Sequence, residues 1–380
     1  MKLVYLASHP IQYHAPLFRA LAERCEFEAW FAHRQDADGQ AAAGYGQRFH
    51  WDVDLLDGYR HAFLDNVAAR PSVWTFRGCD TPGVGARLAA SRPDALVVGG
   101  WNLKAYWQAR AAARRLRIPV YARTDSQAMP GDGLLRRAAR QVVHRIALRG
   151  FDGFLAAGDR SVEYPRALGI AARKISVVPH TIDVPRFVAA RALRDELRGQ
   201  LDVDPRVVFA FVGRLVPMKR VDLLVDALAS LPADSALLWV VGDGPLRDDL
   251  VRRAAGLPVR FLGFRNQSEI PRLLAAADVL VLPSERDTWG LVVNEMIAAG
   301  GRALVSASAG CGPDLSRFGP VVRVFDPGAL AAALADVHAV TRDGADRSTV
   351  DAARERALAW FEPAASAEAL LRAVADGATR

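Results

Sequence analysis

The chain has 380 residues, 51% of them hydrophobic and 24% charged, a globular composition of a length that suits two ordinary domains. No apolar run reaches the roughly 18–20 residues a membrane span needs, and the opening MKLVYLASHPIQYHAPLF is broken by Ser8, His9 and Pro10, so it reads as a buried strand and not as a signal peptide. A net charge of +7 with no Lys/Arg run gives no reason to expect a nucleic-acid partner, and residence in the cytoplasm follows by default.

In chain order, strands are predicted over 2–8, 27–32, 95–100, 119–123 and 151–157, with amphipathic segments at 16–23 and 103–116 between them. Over 177–206, Pro179, Pro185 and Pro205 bracket a charged helical stretch that reads as a domain boundary. A second series follows at 207–213, 236–242, 258–263, 278–283 and 302–308, each run leading into a turn and usually a helix. This alternation predicts an α/β protein of two Rossmann-like, doubly wound parallel-sheet domains, 1–183 and 184–362, facing a cleft. The tail, 363–380, holds an amphipathic helix placed to pack back on the first domain. No short-period repeat is present, which excludes a solenoid. Cys25, Cys79 and Cys311 are odd in number and widely spaced, which fits reduced structural thiols and no metal site.

Two stretches carry chemistry. In FVGRLVPMKRVDLLVDAL (211–228), a strand ends at Gly213 and a helix is expected from about Lys219, so backbone N–H groups and the positive helix end face the edge where α/β proteins bind ligands. Arg214 and Lys219 could neutralise a diphosphate there. Only four of the 49 basic residues are Lys (Lys2, Lys104, Lys174, Lys219), and an ammonium suits a compact phosphate contact. The competing reading is a surface loop with two solvated cations.

In PSERDTWGLVVNEMIAAGG (283–301), Asp287 and Glu295 flank a helix N-terminus opened by Gly290. An anion on that terminus could sit between two carboxylates that accept hydroxyls, as a sugar and a ribose would require. Acidic capping of the helix is the plainer alternative. Asp52-Val53-Asp54 and Asp202-Val203-Asp204 resemble metal-binding pairs, yet neither follows a long apolar strand, and both read as structural.

GRLVPMKRVDLLVDAL, VVGDGPLRDDL (240–250), FLGF (261–264) and DTWGLVVNEMIAAG (287–300), in this order and spacing, resemble the nucleotide-sugar domain of the retaining GT-B glycosyltransferases of family 4. HPIQYHAPLFRALA (9–22), WDVDLLDGY (51–59), VVGGWNLKAYWQA (97–109) and RTDS (123–126) resemble one branch of that family more weakly, so the likeness spans nearly the whole chain. The resemblance implies that Arg214 and Lys219 bind the donor diphosphate, that Glu295 binds the ribose hydroxyls, and that Gly290 and Leu291 offer N–H groups to the β-phosphate. Gly263 and Phe264 would edge the nucleobase. Asp287 stands where the family has Glu near the donor sugar; it is one methylene shorter, which bears on donor choice. The loop Ser8-His9-Pro10-Ile11 replaces a Gly-rich loop near the donor phosphates, which puts His9 there.

The same resemblance implies transfer of a sugar from a UDP- or GDP-linked donor to a hydroxyl of a glycan, a lipid-linked saccharide or a glycosylated small molecule, with retention and without a metal. The leaving phosphate would take the acceptor proton. Alternatives are an epimerase or hydrolase on the same fold, or a non-catalytic nucleotide-sugar-binding protein. His14 and Asp125, each following a strand, are candidates to meet the acceptor or the donor sugar, against a plain reading as loop and cap residues; His180 reads as shaping the interdomain turn. Along 134–150 an apolar face opposes Arg136, Arg137, Arg140, Arg145 and Arg149, a pattern that fits a core-packed helix or one lying on anionic lipid at the inner face of a membrane.

Overall fold

Apolar runs of four to six residues, buried on both faces, build two all-parallel sheets in the computed structural model, which describes residues 1–36, 48–127, 143–203, 205–232, 234–344 and 346–378. The first sheet contains β1 (Lys2–Ala7), β2 (Glu26–Phe31), β3 (Arg60–Phe63), β4 (Ala95–Val98), β5 (Val120–Thr124), β6 (Gly153–Ala156) and β7 (Ile175–Val177), in the order β3-β2-β1-β4-β5-β6-β7. The second contains β8 (Val207–Val212), β9 (Ala236–Val241), β10 (Val259–Gly263), β11 (Val279–Leu282), β12 (Arg302–Ser306) and β13 (Val322–Phe325), ordered β10-β9-β8-β11-β12-β13. Strand order reverses between β1 and β4 and again between β8 and β11, and at such switch points the loops after the strands part to leave a crevice.

β3, β7 and β13 were not expected from sequence. Each is a short edge strand of three or four residues, and with one side unpaired it carries no continuous buried run to betray it.

The chain divides into two compact units. One comprises Met1–Gln35, Asp54–Thr181 and Pro363–Arg380; the other comprises Asp36–Val53 and Ile182–Glu362. The sequence had assigned all of 1–183 to one domain, but the second unit takes 36–53: the Phe49 ring lies 4.6 Å from that of Phe264, and the Asn266 amide donates to the His50 carbonyl at 2.7 Å. The boundary stretch resolves into helices Val184–Arg191 and Arg194–Gln200, both in the second unit.

Helix Pro363–Ala378 belongs to the first unit, where Ala367, Leu370 and Val374 join Leu3, Tyr5 and Leu17 in a core and the Tyr121 hydroxyl donates to the Val374 carbonyl at 3.0 Å. Among the described residues no helix is long and apolar enough to cross a membrane. Residues 134–142 of the basic amphipathic stretch lie outside the described residues; in its remainder Leu148 is buried, while Val143 and Ile146 are exposed. Cys25, Cys79 and Cys311 are free thiols.

Candidate functional site

In the second unit the loops leaving β8, β9 and β10 are knitted together by their backbones. Gly213 N–H donates to the Val241 carbonyl at 2.9 Å, Gly242 N–H to the Gly263 carbonyl at 2.8 Å, and Leu215 N–H to the Asp243 carbonyl at 2.8 Å. Only glycine allows this approach: at Gly242 (φ 134°) a Cβ would fall 1.9 Å from the Gly213 carbonyl oxygen. Gly213, Arg214, Gly263 and Phe264 therefore share one sheet edge, with Arg214 half-buried.

Lys219 ends a short 3-10 turn, Pro217–Lys219, instead of opening a helix. Arg220 adopts a left-handed conformation (φ 49°) that separates this turn from helix Val221–Leu228, and its guanidinium is held by the Asp222 carboxylate at 3.1 and 3.2 Å. The turn aims Lys219 across to the loop after β11. Its Nζ lies 2.6 Å from Asp287 Oδ2, with the two side chains only 16% and 14% exposed, and Glu285 N–H donates to the Met218 carbonyl at 2.9 Å alongside. Glu285 itself is exposed.

Beyond Asp287 the loop is fixed from both sides. Gly310 N–H donates to the Asp287 carbonyl and Cys311 N–H to the Trp289 carbonyl, each at 3.0 Å, while the buried Trp289 indole donates to Asn294 Oδ1 at 2.9 Å. Gly290 turns with φ 95°, where a Cβ would meet Leu282 Cδ2 at 2.6 Å, and helix Val292–Ala299 starts just past Leu291. Glu295 sits in its first turn, half-buried, and burial pushes its carboxyl up to about 7, opposed by the nearby Arg186 guanidinium. Arg186, from helix Val184–Arg191, donates to Gln267 Oε1 at 2.9 Å. Sequence gave no sign of Arg186, because it stands among ordinary boundary residues.

In the first unit, His9 Nδ1 lies 3.0 Å from the Ser8 hydroxyl, and burial followed by the His33 charge lowers its pKa to about 4. His14 precedes helix Ala15–Ala22 and packs its ring against Tyr5, Tyr13 and Phe18. Burial, reinforced by Arg123 and His9, lowers its pKa to about 3, so it is a neutral imidazole at ordinary pH. Its Nδ1 and the Tyr5 hydroxyl are buried with no hydrogen-bond partner among the described residues.

Asp125, half-buried, follows β5. Two residues earlier, buried Arg123 donates to the Val178 carbonyl and, at 3.1 Å, to that of Pro179, beside a buried His180 that meets Tyr13 edge-on. Arg123 was not picked out from sequence, although a lone arginine inside PVYAR was a usable signal.

Asp52 accepts from the Ser268 hydroxyl, and Asp54 accepts the backbone N–H groups of Leu56 and Asp57 at 2.9 and 3.1 Å. Asp204 lies outside the described residues.

Two family models match, a glycosyl transferase 4-like domain over residues 11–181 and glycosyl transferases group 1 over 206–339. The chain belongs to the GT-B glycosyltransferases. Among curated relatives, it is 32% identical over 209 residues to a GDP-mannose-dependent alpha-(1-6)-phosphatidylinositol dimannoside mannosyltransferase of Mycobacterium tuberculosis, covering 54% of each chain. It is 38% identical over 168 residues to a 2-deoxystreptamine glucosyltransferase of Streptomyces kanamyceticus, covering 42% of this chain and 43% of the relative. The chain spans about half the length of the curated relatives it matches.

Among solved structures, Anabaena HepE in complex with UDP aligns with a TM-score of 0.74 at 20% identity, covering 99% of this chain and 100% of that one. This likeness is one of fold. At the edge of the second sheet the structure gathers two cations, a helix N-terminus and a first-turn carboxylate.

Proposed function

We propose that the chain transfers a sugar from a nucleotide-diphosphate donor to a hydroxyl of a glycan, a lipid-linked saccharide or a glycosylated small molecule, as a family 4 enzyme, with retention of anomeric configuration and without a metal. The observation that carries this reading is the Lys219–Asp287 pair at the mouth of the helix that bears Glu295. An ammonium has three donors, so Lys219 can keep Asp287 on one and turn the others to a phosphate. Arg214, in the same loop, adds a second cation.

Cleavage of the anomeric C–O bond puts negative charge on the leaving diphosphate, and these cations with the N–H groups of Gly290 and Leu291 stabilise it. The departing phosphate oxygen then takes the acceptor proton on the face it leaves, so the new bond forms with retention. Asp287 faces the sugar hydroxyls and Glu295 the ribose, with Gly263 and Phe264 at the base. In the first unit, neutral His14 and Asp125 are the side chains proposed to hydrogen-bond the acceptor, with His9 in the loop after β1, close to His14 in sequence. Similar proteins lend support: HepE is solved with UDP and with UDP-glucose, and the mycobacterial relative is named for GDP-mannose. Exposed Val143 and Ile146 on the basic stretch would bring a lipid-linked acceptor near from the cytoplasmic face.

The test incubates the protein with UDP- and GDP-sugars, a panel of acceptors and EDTA, and reads the anomeric configuration of the product by NMR. Transfer with retention is expected. Sugar release that needs no acceptor would make the protein a hydrolase, and binding without turnover would make it a nucleotide-sugar-binding protein.

A further inference from the structure

Between β3 and helix Val84–Ser91, residues 64–83 form a loop at the edge of the first sheet where the parallel strands end, the edge at which His9 follows β1 and Asp125 follows β5. The loop is tied together by its own backbone. Val67 N–H donates to the Asp80 carbonyl and Ser72 N–H to the Gly78 carbonyl, each at 2.9 Å. The Asn66 side chain joins the two arms, donating to the Gly78 carbonyl and accepting from Asp80 N–H, both at 2.9 Å. Gly78 lets the arms meet, since a Cβ there would fall 2.1 Å from the Ser72 carbonyl oxygen. Val73 and Cys79 are buried, and the Asp80 carboxylate is held from helix Lys104–Arg115 by Lys104 at 2.6 Å and by Gln108 at 2.7 Å.

What this scaffold holds outward is apolar and cationic. Trp74 is 63% exposed, Val67 61% and Phe76 51%. A slack loop could fold such side chains inward, but here the paired backbone keeps them in water. Arg70 and Arg77 are exposed beside them, with no hydrogen bond or ion pair among the described residues. The acids of the loop do not answer these two cations: Asp80 is taken by Lys104 and Gln108, and Asp65 stands exposed near the end of β3. Val67, Phe76, Arg70, Arg77 and Lys104 line one open hollow, so the apolar groups and the cations share a face.

We propose that this loop docks the protein on an anionic lipid bilayer, with Trp74, Phe76 and Val67 entering the headgroup boundary and Arg70 and Arg77 meeting lipid phosphates. An indole, apolar in its body and with one N–H donor, suits the headgroup level. Guanidinium groups beside it add attraction to a negatively charged leaflet. A second protein fits the patch less well. Two aromatics and a valine at these exposures offer only a few hundred Å², against the roughly 800 Å² that each side of a stable interface buries. A free anion would use the arginines and leave the aromatic side chains in water. The loop is distinct in sequence from the basic stretch that exposes Val143 and Ile146, and it sets the first unit's His9 and Asp125 edge toward the lipid.

The test sediments the full chain with vesicles of phosphatidylcholine, alone or mixed with phosphatidylglycerol. Binding to the mixed vesicles is expected, about tenfold weaker in Trp74→Ser/Phe76→Ser and about tenfold weaker, with a shallower salt dependence, in Arg70→Gln/Arg77→Gln. All four side chains are exposed, so both variants should fold, which circular dichroism checks. Brominated acyl chains should quench the tryptophan fluorescence of the parent more than that of Trp74→Phe. Equal binding by the parent and both variants would overturn the proposal, as would a loss confined to Val143→Ser/Ile146→Ser. So would a dimer, seen by light scattering, that Trp74→Ser/Phe76→Ser dissolves while no vesicle binds, because the loop would then be a protein interface. No arm depends on sugar transfer, so the outcome is independent of the proposed function.

Discussion

The Lys219 ammonium lies 2.6 Å from the Asp287 carboxylate, joining a turn after β8 to a loop after β11 across 68 residues of sequence. Each side chain is mostly withdrawn from water, so neither charge is well placed alone. Lys219→Ala should lower kcat/KM by about 10²–10³-fold, the scale of removing one preorganised electrostatic stabiliser. It should also cost roughly 2–3 kcal/mol of stability by stranding Asp287. Lys219→Met/Asp287→Leu should recover most of the stability and none of the activity. Denaturant unfolding beside steady-state kinetics separates the two effects, and full activity in Lys219→Ala would remove the diphosphate role.

Glu295 holds its proton more tightly folded than unfolded, because burial lifts its carboxyl from an ordinary 4.5 to about 7. Its contribution to stability is therefore complete below about 4.5 and is lost as pH rises through about 7. Glu295→Gln fixes the neutral form. The variant should gain stability relative to the parent as pH goes from 5 to 8, read by urea midpoints, while its affinity for the nucleotide falls. A constant stability difference across that range would mean that Glu295 titrates normally.

Acid should act in the opposite sense on the first unit. His14 and His9, lowered to about 3 and 4, and His180, lowered well below 6.5, are neutral in the folded protein. Their contribution is complete above about 6.5 and is lost as pH falls toward 3. His14→Leu should flatten the loss of stability between pH 6.5 and 4.5, where each neutral histidine contributes up to about 1.4 kcal/mol per pH unit. Equal slopes in parent and variant, measured by denaturant midpoints, would rule this out for His14.

Gly242→Ala tests the knitted loops. With φ 134° and the Gly213 carbonyl 1.9 Å from an added Cβ, the backbone has to move. A loss of about 2–4 kcal/mol is expected from strain and crowding together, with weaker nucleotide binding in whatever remains folded. Thermal unfolding with and without nucleotide reads both; a variant as stable as the parent would mean the loops can part at little cost.

The central strands were legible because burial on both faces writes an uninterrupted apolar run, as in VVFAFV and ALLWVV. Edge strands such as RHAF and ISV carry no such run. The glycine turns and carboxylates of the second unit were legible as local patterns, each within a few residues. Sequence did not carry the pairing of Lys219 with Asp287, which depends on β8 and β11 being neighbours, nor the approach of Arg186 to Glu295, which depends on how two helices pack. The helical start expected at Lys219 failed at Arg220, whose left-handed backbone has no signature in an ordinary arginine.

The return of helix Pro363–Ala378 to the first unit sets an order of events during synthesis. Residues 182–362 and the segment 36–53 are synthesised before this helix, so the second unit has its whole chain while the first still lacks Ala367, Leu370 and Val374 from its core. Until then the apolar faces of Tyr5 and Leu17 are open to water and the Tyr121 hydroxyl lacks its acceptor. The first half of the chain is thus the last part to be completed, and a nascent chain stalled before residue 363 should engage chaperones through its N-terminal half.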